Sequence, residues 1–377
     1  MSVWDDIVGQ DVAIAMLRRA AAQPEDASVM THAWLITGPA GSGRSTLALA
    51  FAKALESGDD DESDRHARLI EAGTHPDVQV LSTAGVLITI ADVRDLVARA
   101  QLSPSMGRFR VQIIEDADRM TETTSNVLLK ALEEPPAGTV WVLCCPSDAD
   151  VLPTIRSRVR TVRLVTPDPH EVAKLLQRKW GVAAPTALEC AQIAQCHVGM
   201  ARRLATDGRA RERRRTSLGV FLTVDTLAAA MAGARTLLEI ATADAEAGTA
   251  EQAEAERAAL LRQLGLRESD PVPPGYRAQL HAIEKDQRRQ AKRAVNDGVD
   301  RVLTDAFSMF RDVLLRQLGV DTAPINVDLI PQIGQQAAAG DPLRTLRVLD
   351  AIGAAREQLA RNVSPQLVLE ALLAGLL

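Results

Sequence analysis

The ten residues from Thr37 to Thr46, Thr-Gly-Pro-Ala-Gly-Ser-Gly-Arg-Ser-Thr, carry the clearest chemistry in the chain. Gly38 and Gly43 bracket four residues and are followed by Arg44 and Ser45, the spacing of a phosphate-binding P-loop with arginine where lysine is usual. Glycines at positions such as 38, 41 and 43 let backbone N–H groups turn inward onto phosphate oxygens. The helix that follows adds its positive N-terminal end, and the hydroxyl of Ser45, with Thr46 beside it, is placed for a magnesium ion. Guanidinium is planar and fork-shaped, so Arg44 holds phosphate without taking the place of a lysine ammonium. A Gly-rich turn that binds nothing is the competing reading.

A second signal follows the β-prone segment Phe109 to Ile114, where the chain reads Glu115, Asp116, Ala117, Asp118. Carboxylates at the end of such a strand, in a chain with a P-loop, can coordinate magnesium and polarise water. This resembles a Walker B motif, with the usual Asp-Glu order reversed, so each side chain has the wrong length for its job. A strand ending in a solvated acidic turn explains the residues as well.

The elements that must position these residues are readable around them. The apolar run Ala33 to Ile36 leads into the P-loop and Leu47 to Leu55 continues out of it as a helix, while Val12 to Ala22 repeats at helical spacing. Asp59 to Asp64 reads as an exposed acidic loop, Asp77 to Ser82 as a strand, Ile90 to Gln101 as a helix, and Ser103 to Arg108 as a turn. Of 377 residues, 46% are hydrophobic and only 3% aromatic, which suits an Ala- and Leu-rich helical protein with one α/β unit. A net charge of -6 is too mild to drive the whole chain onto nucleic acid. No apolar span is long enough for a bilayer and Met1 to Gln10 is acidic, so the expectation is a cytoplasmic protein without membrane contact. Cys144, Cys145, Cys190 and Cys196 have neither zinc-pair nor disulfide spacing and read as small buried hydrophobes.

Three more segments complete a pattern: Asn126 to Pro136 (Asn-Val-Leu-Leu-Lys-Ala-Leu-Glu-Glu-Pro-Pro), the apolar strand Val140 to Cys145, and Leu152 to Arg158 (Leu-Pro-Thr-Ile-Arg-Ser-Arg). In this order and spacing, roughly the first 210 residues resemble clamp-loader subunits of bacterial DNA polymerase III, members of the AAA+ class. The resemblance implies an α/β AAA+ P-loop parallel-sheet domain over 1–166, a small helical lid over 167–212 and an all-α collar over 213–377. It implies a non-hydrolysing stator that helps load the sliding β-clamp onto primed DNA, with the gamma/tau motor subunits and the delta subunit as partners. Ser157 and Arg158 match the family's Ser-Arg-Cys motif, with Val159 for the cysteine, and the resemblance implies that Arg158 is an arginine finger acting in a neighbour's ATP site, with a surface salt-bridge residue as the competing reading.

By the same resemblance, Gly199 to Arg202 sits at the sensor-2 position, where Arg202 would face a γ-phosphate, although Arg203 and the run Arg209 to Arg215 also fit a solvated helix face. Ser147, with Cys145 as rival, lies near sensor 1, and Val8 to Gln10 near the adenine. ATP and magnesium are the cofactors implied for this degenerate site. Zinc is not expected, because Glu56 to Glu71, where many relatives carry four cysteines before the Gly-Thr-His-Pro-Asp segment (here Gly73 to Asp77), contains no cysteine and only the lone His66. Competing with the stator are a catalytically active AAA+ ATPase and a purely structural adaptor.

The last third carries no catalytic signature. Ala241 to Leu264 reads as an inserted helical hairpin and Arg267 to Gly275 as a hinge. Leu280 to Leu318 reads as one long helix with a stripe of Val295, Val299, Val302, Ala306, Phe310 and Val313. Lys285, Arg288, Arg289, Lys292 and Arg293 read as a solvated face, with DNA contact as the alternative, and Ser364 as a helix start.

Overall fold

The computed structural model describes residues 2–58, 60–83, 87–263 and 277–377, with backbone alone for 247–263 and 277–286. It divides into two compact units, Met1–Ala205 and Thr206–Leu377. The first is organised on five parallel strands, β1 (Ala33–Thr37), β2 (Val78–Leu81), β3 (Arg110–Ile114), β4 (Thr139–Cys145) and β5 (Arg160–Arg163), in the order β2-β3-β4-β1-β5. Every residue of β1, β3 and β4 is buried, which their near-continuous apolar sequences require of strands covered on both faces. In β5, Arg-Thr-Val-Arg, only Val162 is buried, and so polar an edge strand gives no hydrophobic signal.

Around the sheet lie α1 (Asp11–Ala22), α2 (Arg44–Ser57), α3 (Arg65–Glu71), α4 (Ile90–Ala100), α5 (Glu122–Glu133) and α6 (Pro153–Arg156). The side-chain period of two sends Trp34 and Ile36 of β1 to one face and Ala33 and Leu35 to the other. On the first face they meet Leu47, Phe51 and Leu55 of α2, and Trp34 and Phe51 stack edge to face with centroids 5.4 Å apart. On the second, Leu35, Ile114, Trp141 and Leu143 pack on Val93 and Leu96 of α4 and on Leu128 and Leu132 of α5. Thr89 and Asp92 close a reciprocal cap at the start of α4. Three further helices, α7 (Pro169–Trp180), α8 (Ala184–Ile193) and α9 (Val198–Thr206), follow the sheet.

One buried carboxylate ties the turn over 103–108 to the strands on either side of it. Asp77, fully buried just before β2, accepts hydrogen bonds from the backbone N–H groups of Ser105 (2.8 Å), Met106 (2.7 Å) and Gly107 (2.8 Å), from the Ser105 hydroxyl (2.9 Å) and from Arg110 Nη2 (2.9 Å). Burial alone raises a carboxyl pKa, but these donors outweigh it and hold Asp77 down at about 2.

The second unit is helical: α10 (Gly208–Thr223), α11 (Leu227–Gln263), α12 (Arg277–Gln317), α13 (Ile330–Ala339), α14 (Pro342–Ala360) and α15 (Pro365–Gly375). Val299, Val302, Ala306, Phe310 and Val313 of the expected stripe are buried in its core, and Val295 is half-buried. A Cβ on Gly298 would stand 3.0 Å from the Ala241 carbonyl oxygen, so α11 and α12 approach closely there. The stretch expected as a hairpin from Ala241 instead continues α11 without a turn to Gln263, because its Ala- and Glu-rich sequence has strong helix propensity and the isolated Gly248 is not enough to interrupt it. The hinge at Arg267 to Gly275 and the Lys285 side chain lie outside the described residues.

The basic run of α10 is not a plain solvated face. Arg213 pairs with Asp244 (2.6 Å), and Arg214, 6% exposed, reaches Asp328 (3.2 Å), Asp305 (3.4 Å) and the Asn326 side chain. The residues over 206–212, read in the sequence as the end of a lid, fall in this second unit, where α10 begins at Gly208 behind its Asp207 cap. Arg288, Arg289 and Lys292 are exposed on α12, Arg293 pairs with Asp297 at 3.5 Å, and Ser364 precedes α15 as its N-cap residue. Among the described residues no helix is long and apolar enough to cross a membrane.

Candidate nucleotide site and the Arg158 edge

β1 delivers the chain to the P-loop at its carboxyl end, and α2 starts at Arg44 behind Gly43, whose φ of 93° only glycine adopts without strain. A cavity of about 460 Å³ opens there. It is lined by Gly41, Gly43, Arg44, Ser45 and Thr46 of the loop, by Leu175, Lys179 and Trp180 of α7, and by His197, Val198, Gly199 and Arg202 at the start of α9. Arg202 stacks its guanidinium over the Trp180 ring, 5.2 Å from the centroid. Deeper on α2, Lys53, 6% exposed, reaches Glu71 of α3 at 2.5 Å on the cavity wall. Arg44 Nη1 is buried with no hydrogen-bond partner, an orphaned donor that an anionic oxygen would satisfy.

The loop is held from the side of α9. Gln195 and Cys196 both have positive φ, 52° and 62°, and this turn sets His197 against Gly41. A Cβ on Gly41 would lie 2.2 Å from His197 Cγ, and Gly41 itself has φ 79°. Left-handed backbone costs a non-glycine residue about 1–2 kcal/mol, and the clash with His197 adds to it. Gly41→Ala is therefore expected to lower stability by about 2 kcal/mol or more, read from the midpoint of urea unfolding. A loss under about 0.5 kcal/mol would mean that His197 does not pack on this loop.

Other residues expected at the site do not line this cavity. Gly38 turns beneath Leu164, where a Cβ would come within 2.7 Å of the Leu164 Cβ. Glu115 and Asp116, at the carboxyl end of β3, do not line the cavity, and Asp116 precedes a short 3₁₀ turn. Burial pushes the neighbouring Asp118 carboxyl up and the Asp116 charge adds to this, against the pull of Arg119 and Arg44. Gln10 is buried, donating to the Val165 carbonyl (2.7 Å) and accepting from the Val165 N–H (3.1 Å), which fixes the chain after β5. The Ser147 hydroxyl accepts from the Ala149 N–H (3.2 Å) in a local cap, and the buried Cys145 thiol is pushed up to about 12 by burial. Phosphate chemistry therefore fits the cavity, through Gly43, Arg44, Ser45 and Thr46, and Glu115 and Asp116 are not among its lining residues.

Arg158 lies at the other end of the sheet. β1 and β5 run parallel with Trp34 opposite Arg160 and Thr37 opposite Arg163, so Arg158 sits at the amino edge while the P-loop leaves the carboxyl edge. The length of β5 alone separates them by on the order of 13 Å at about 3.3 Å per residue. At that edge the guanidinium donates to the Thr154 carbonyl (2.8 Å) and the Ser157 hydroxyl (3.0 Å) and pairs with Glu133 (2.6 Å), the last residue of α5. It remains 37% exposed beside an open hollow lined by Ser157, Val159, Arg160, His32 and Thr139. Sequence reasoning missed Glu133 as its holder, although the Glu-Glu-Pro-Pro segment was in view.

Sheet order, P-loop and helical follow-on give the first unit a parallel α/β P-loop fold, and residues 9–168 match the family model described as DNA polymerase III, delta subunit. The stretch is similar to DNA polymerase III subunit delta' of Pseudomonas aeruginosa, 38% identical over 38% of this chain and 45% of that protein. It is similar also to subunit delta' of Bacillus subtilis, 36% identical over 35% of this chain and 42% of that protein. Subunit gamma/tau of Mycobacterium tuberculosis is 30% identical over 46% of this chain and 30% of its own length. The N-terminal part of the chain is thus similar to delta-prime subunits of bacterial DNA polymerase III, and the matches span less than half the length of those relatives.

Proposed function

We propose that this chain is a delta-prime-type clamp-loader subunit, a cytoplasmic stator that helps load the sliding β-clamp onto primed DNA. Gamma/tau subunits and a delta subunit are its partners, and Arg158 acts in the ATP site of an adjoining gamma/tau subunit. The observation that carries the reading is the separation of Arg158 from the P-loop by the whole sheet. A cation held at the amino edge cannot serve its own subunit's cavity, so its use lies across a subunit boundary.

The chain's own cavity binds the phosphates of ATP without turning them over. Arg44 and the backbone at Gly43 would hold the anion, with Arg202 lining the same cavity from α9, and the reversed order of Glu115 and Asp116 gives each carboxylate the wrong length for its job. Catalysis needs a base and a metal within contact of the reacting atoms, and a displacement of an ångström already costs about 10²-fold. The isolated protein is expected to hydrolyse ATP at background. Steady-state phosphate release near 1 s⁻¹, roughly the lower end of enzyme turnover, would replace the stator with an active ATPase.

A further inference from the structure

Away from the P-loop, at the opposite end of α2, three side chains converge that the proposed function does not use. Glu56 on α2, His66 on α3 and His75 before β2 bring one ligand atom each to within 4.8 Å of one another. Glu56 stands twelve residues beyond Arg44, roughly 18 Å along the helix at about 1.5 Å per residue. The carboxylate is 2% exposed. Its Oε2 accepts the Arg108 N–H at 2.8 Å, and its Oε1 is buried with no hydrogen-bond partner. His66 Nδ1 and His75 Nε2 are 3.0 Å apart, and His75 is 4% exposed.

We propose that Glu56, His66 and His75 form a binding site for a divalent transition-metal ion of the zinc class, pinning α2, α3 and the Gly73–Asp77 segment to one another. Two imidazoles and one carboxylate are the donor set that borderline cations of this kind prefer. The orphaned Glu56 oxygen supplies what a hydrogen-bonded histidine pair alone would not, a buried acceptor still lacking a hydrogen-bond donor.

The histidine pair sets the terms of binding. The Asp77 N–H donates to His75 Nδ1 at 3.1 Å, which leaves the His75 proton on Nε2, shared with His66 Nδ1. For His75 to ligate through Nε2, that proton moves to Nδ1 and the Asp77 amide bond is given up. Metal–nitrogen bonds of about 2.05 Å across a 3.0 Å gap subtend roughly 95°, so a tetrahedral ion needs the nitrogens to part by about 0.3 Å. His66 is half-buried and can make that adjustment. The expectation of no zinc rested on cysteines, and this donor set contains none.

The test uses untagged full-length protein, stripped with a chelator and titrated with Zn²⁺ against a chromophoric competitor, and separately with Co²⁺ followed by its visible absorption. One equivalent is expected to bind with a dissociation constant of roughly micromolar or below. His66→Ala and Glu56→Gln are expected to weaken it at least tenfold, and Zn²⁺ should raise the unfolding temperature of the parent but not of His66→Ala. Unfolding of each variant without metal checks that its fold is intact. Binding no tighter than that of His66→Ala, or one equivalent held equally well by the parent and both variants, would overturn the site.

Discussion

Arg158→Ala, in a complex reconstituted with gamma/tau and delta subunits, is expected to cut ATP turnover at the adjoining site by at least tenfold. A tenfold fall corresponds to about 1.4 kcal/mol of lost transition-state stabilisation, and a trans arginine is worth about 10³–10⁵ in the GTPases where it has been measured. The resting contacts of Arg158 do not stand in the way. Its pair with Glu133 is 37% and 46% exposed, and such pairs contribute only about 0–1 kcal/mol, so phosphate can take the guanidinium from Glu133 at little cost. For the same reason the variant should fold and assemble normally, with stability changed by less than about 0.5 kcal/mol. Total turnover sums several sites, so the reading must come from the adjoining site with the others disabled. Arg158→Lys separates charge from shape, since lysine keeps the charge but not the planar fork. Full activity of the alanine variant at that site would leave the chain a structural adaptor.

Asp77→Ala is expected to be among the most damaging single substitutions in the first unit, lowering stability by about 3–5 kcal/mol. The change removes the acceptor for three backbone N–H groups and leaves the Arg110 guanidinium, on a residue 5% exposed, without its carboxylate. Urea unfolding followed by far-UV circular dichroism measures it, and a loss below about 1 kcal/mol would show that the turn over 103–108 does not depend on this residue. The pH dependence has a definite sign. Asp77 has its folded pKa depressed to about 2 from 3.8, so its contribution is complete above about pH 4 and disappears as pH falls through 2. A shift of that size is worth about 2 kcal/mol, and the alanine variant should lack this part of the acid-induced loss.

Much of this architecture is written locally. The sequence segments predicted four of the five strands to within a residue at each end, and in β1 and β4 the signal is strongest because a strand buried on both faces is apolar almost throughout. The exception, β5, is polar at three of its four residues and acquires its identity from pairing with β1. Gly43 and Arg44 are legible from spacing since their roles are set by backbone turns. By contrast, Asp77 was visible only as the end of a Gly-Thr-His-Pro-Asp string, and its partners lie 28 to 33 residues away. The seat of His197 on Gly41 and the meeting of Glu56 with His66 and His75 depend on how helices and loops dock. Nothing in residue spacing encodes those distances. The apparent hairpin at Ala241 failed for another reason: the isolated Gly248 does not interrupt it, and helix propensity runs on.

A sheet whose strands all point one way gives the domain a front and a back. With the phosphate loop at the front and Arg158 at the back, a contact joining finger to cavity is head to tail, each partner offering a different surface, and a two-fold pairing of copies cannot satisfy it. Assemblies made from such contacts have a direction of succession, like links that hook only one way. A member that hands an arginine onward but leaves its own cavity chemically idle would mark one end of the succession, so that the number of working sites falls short of the number of subunits.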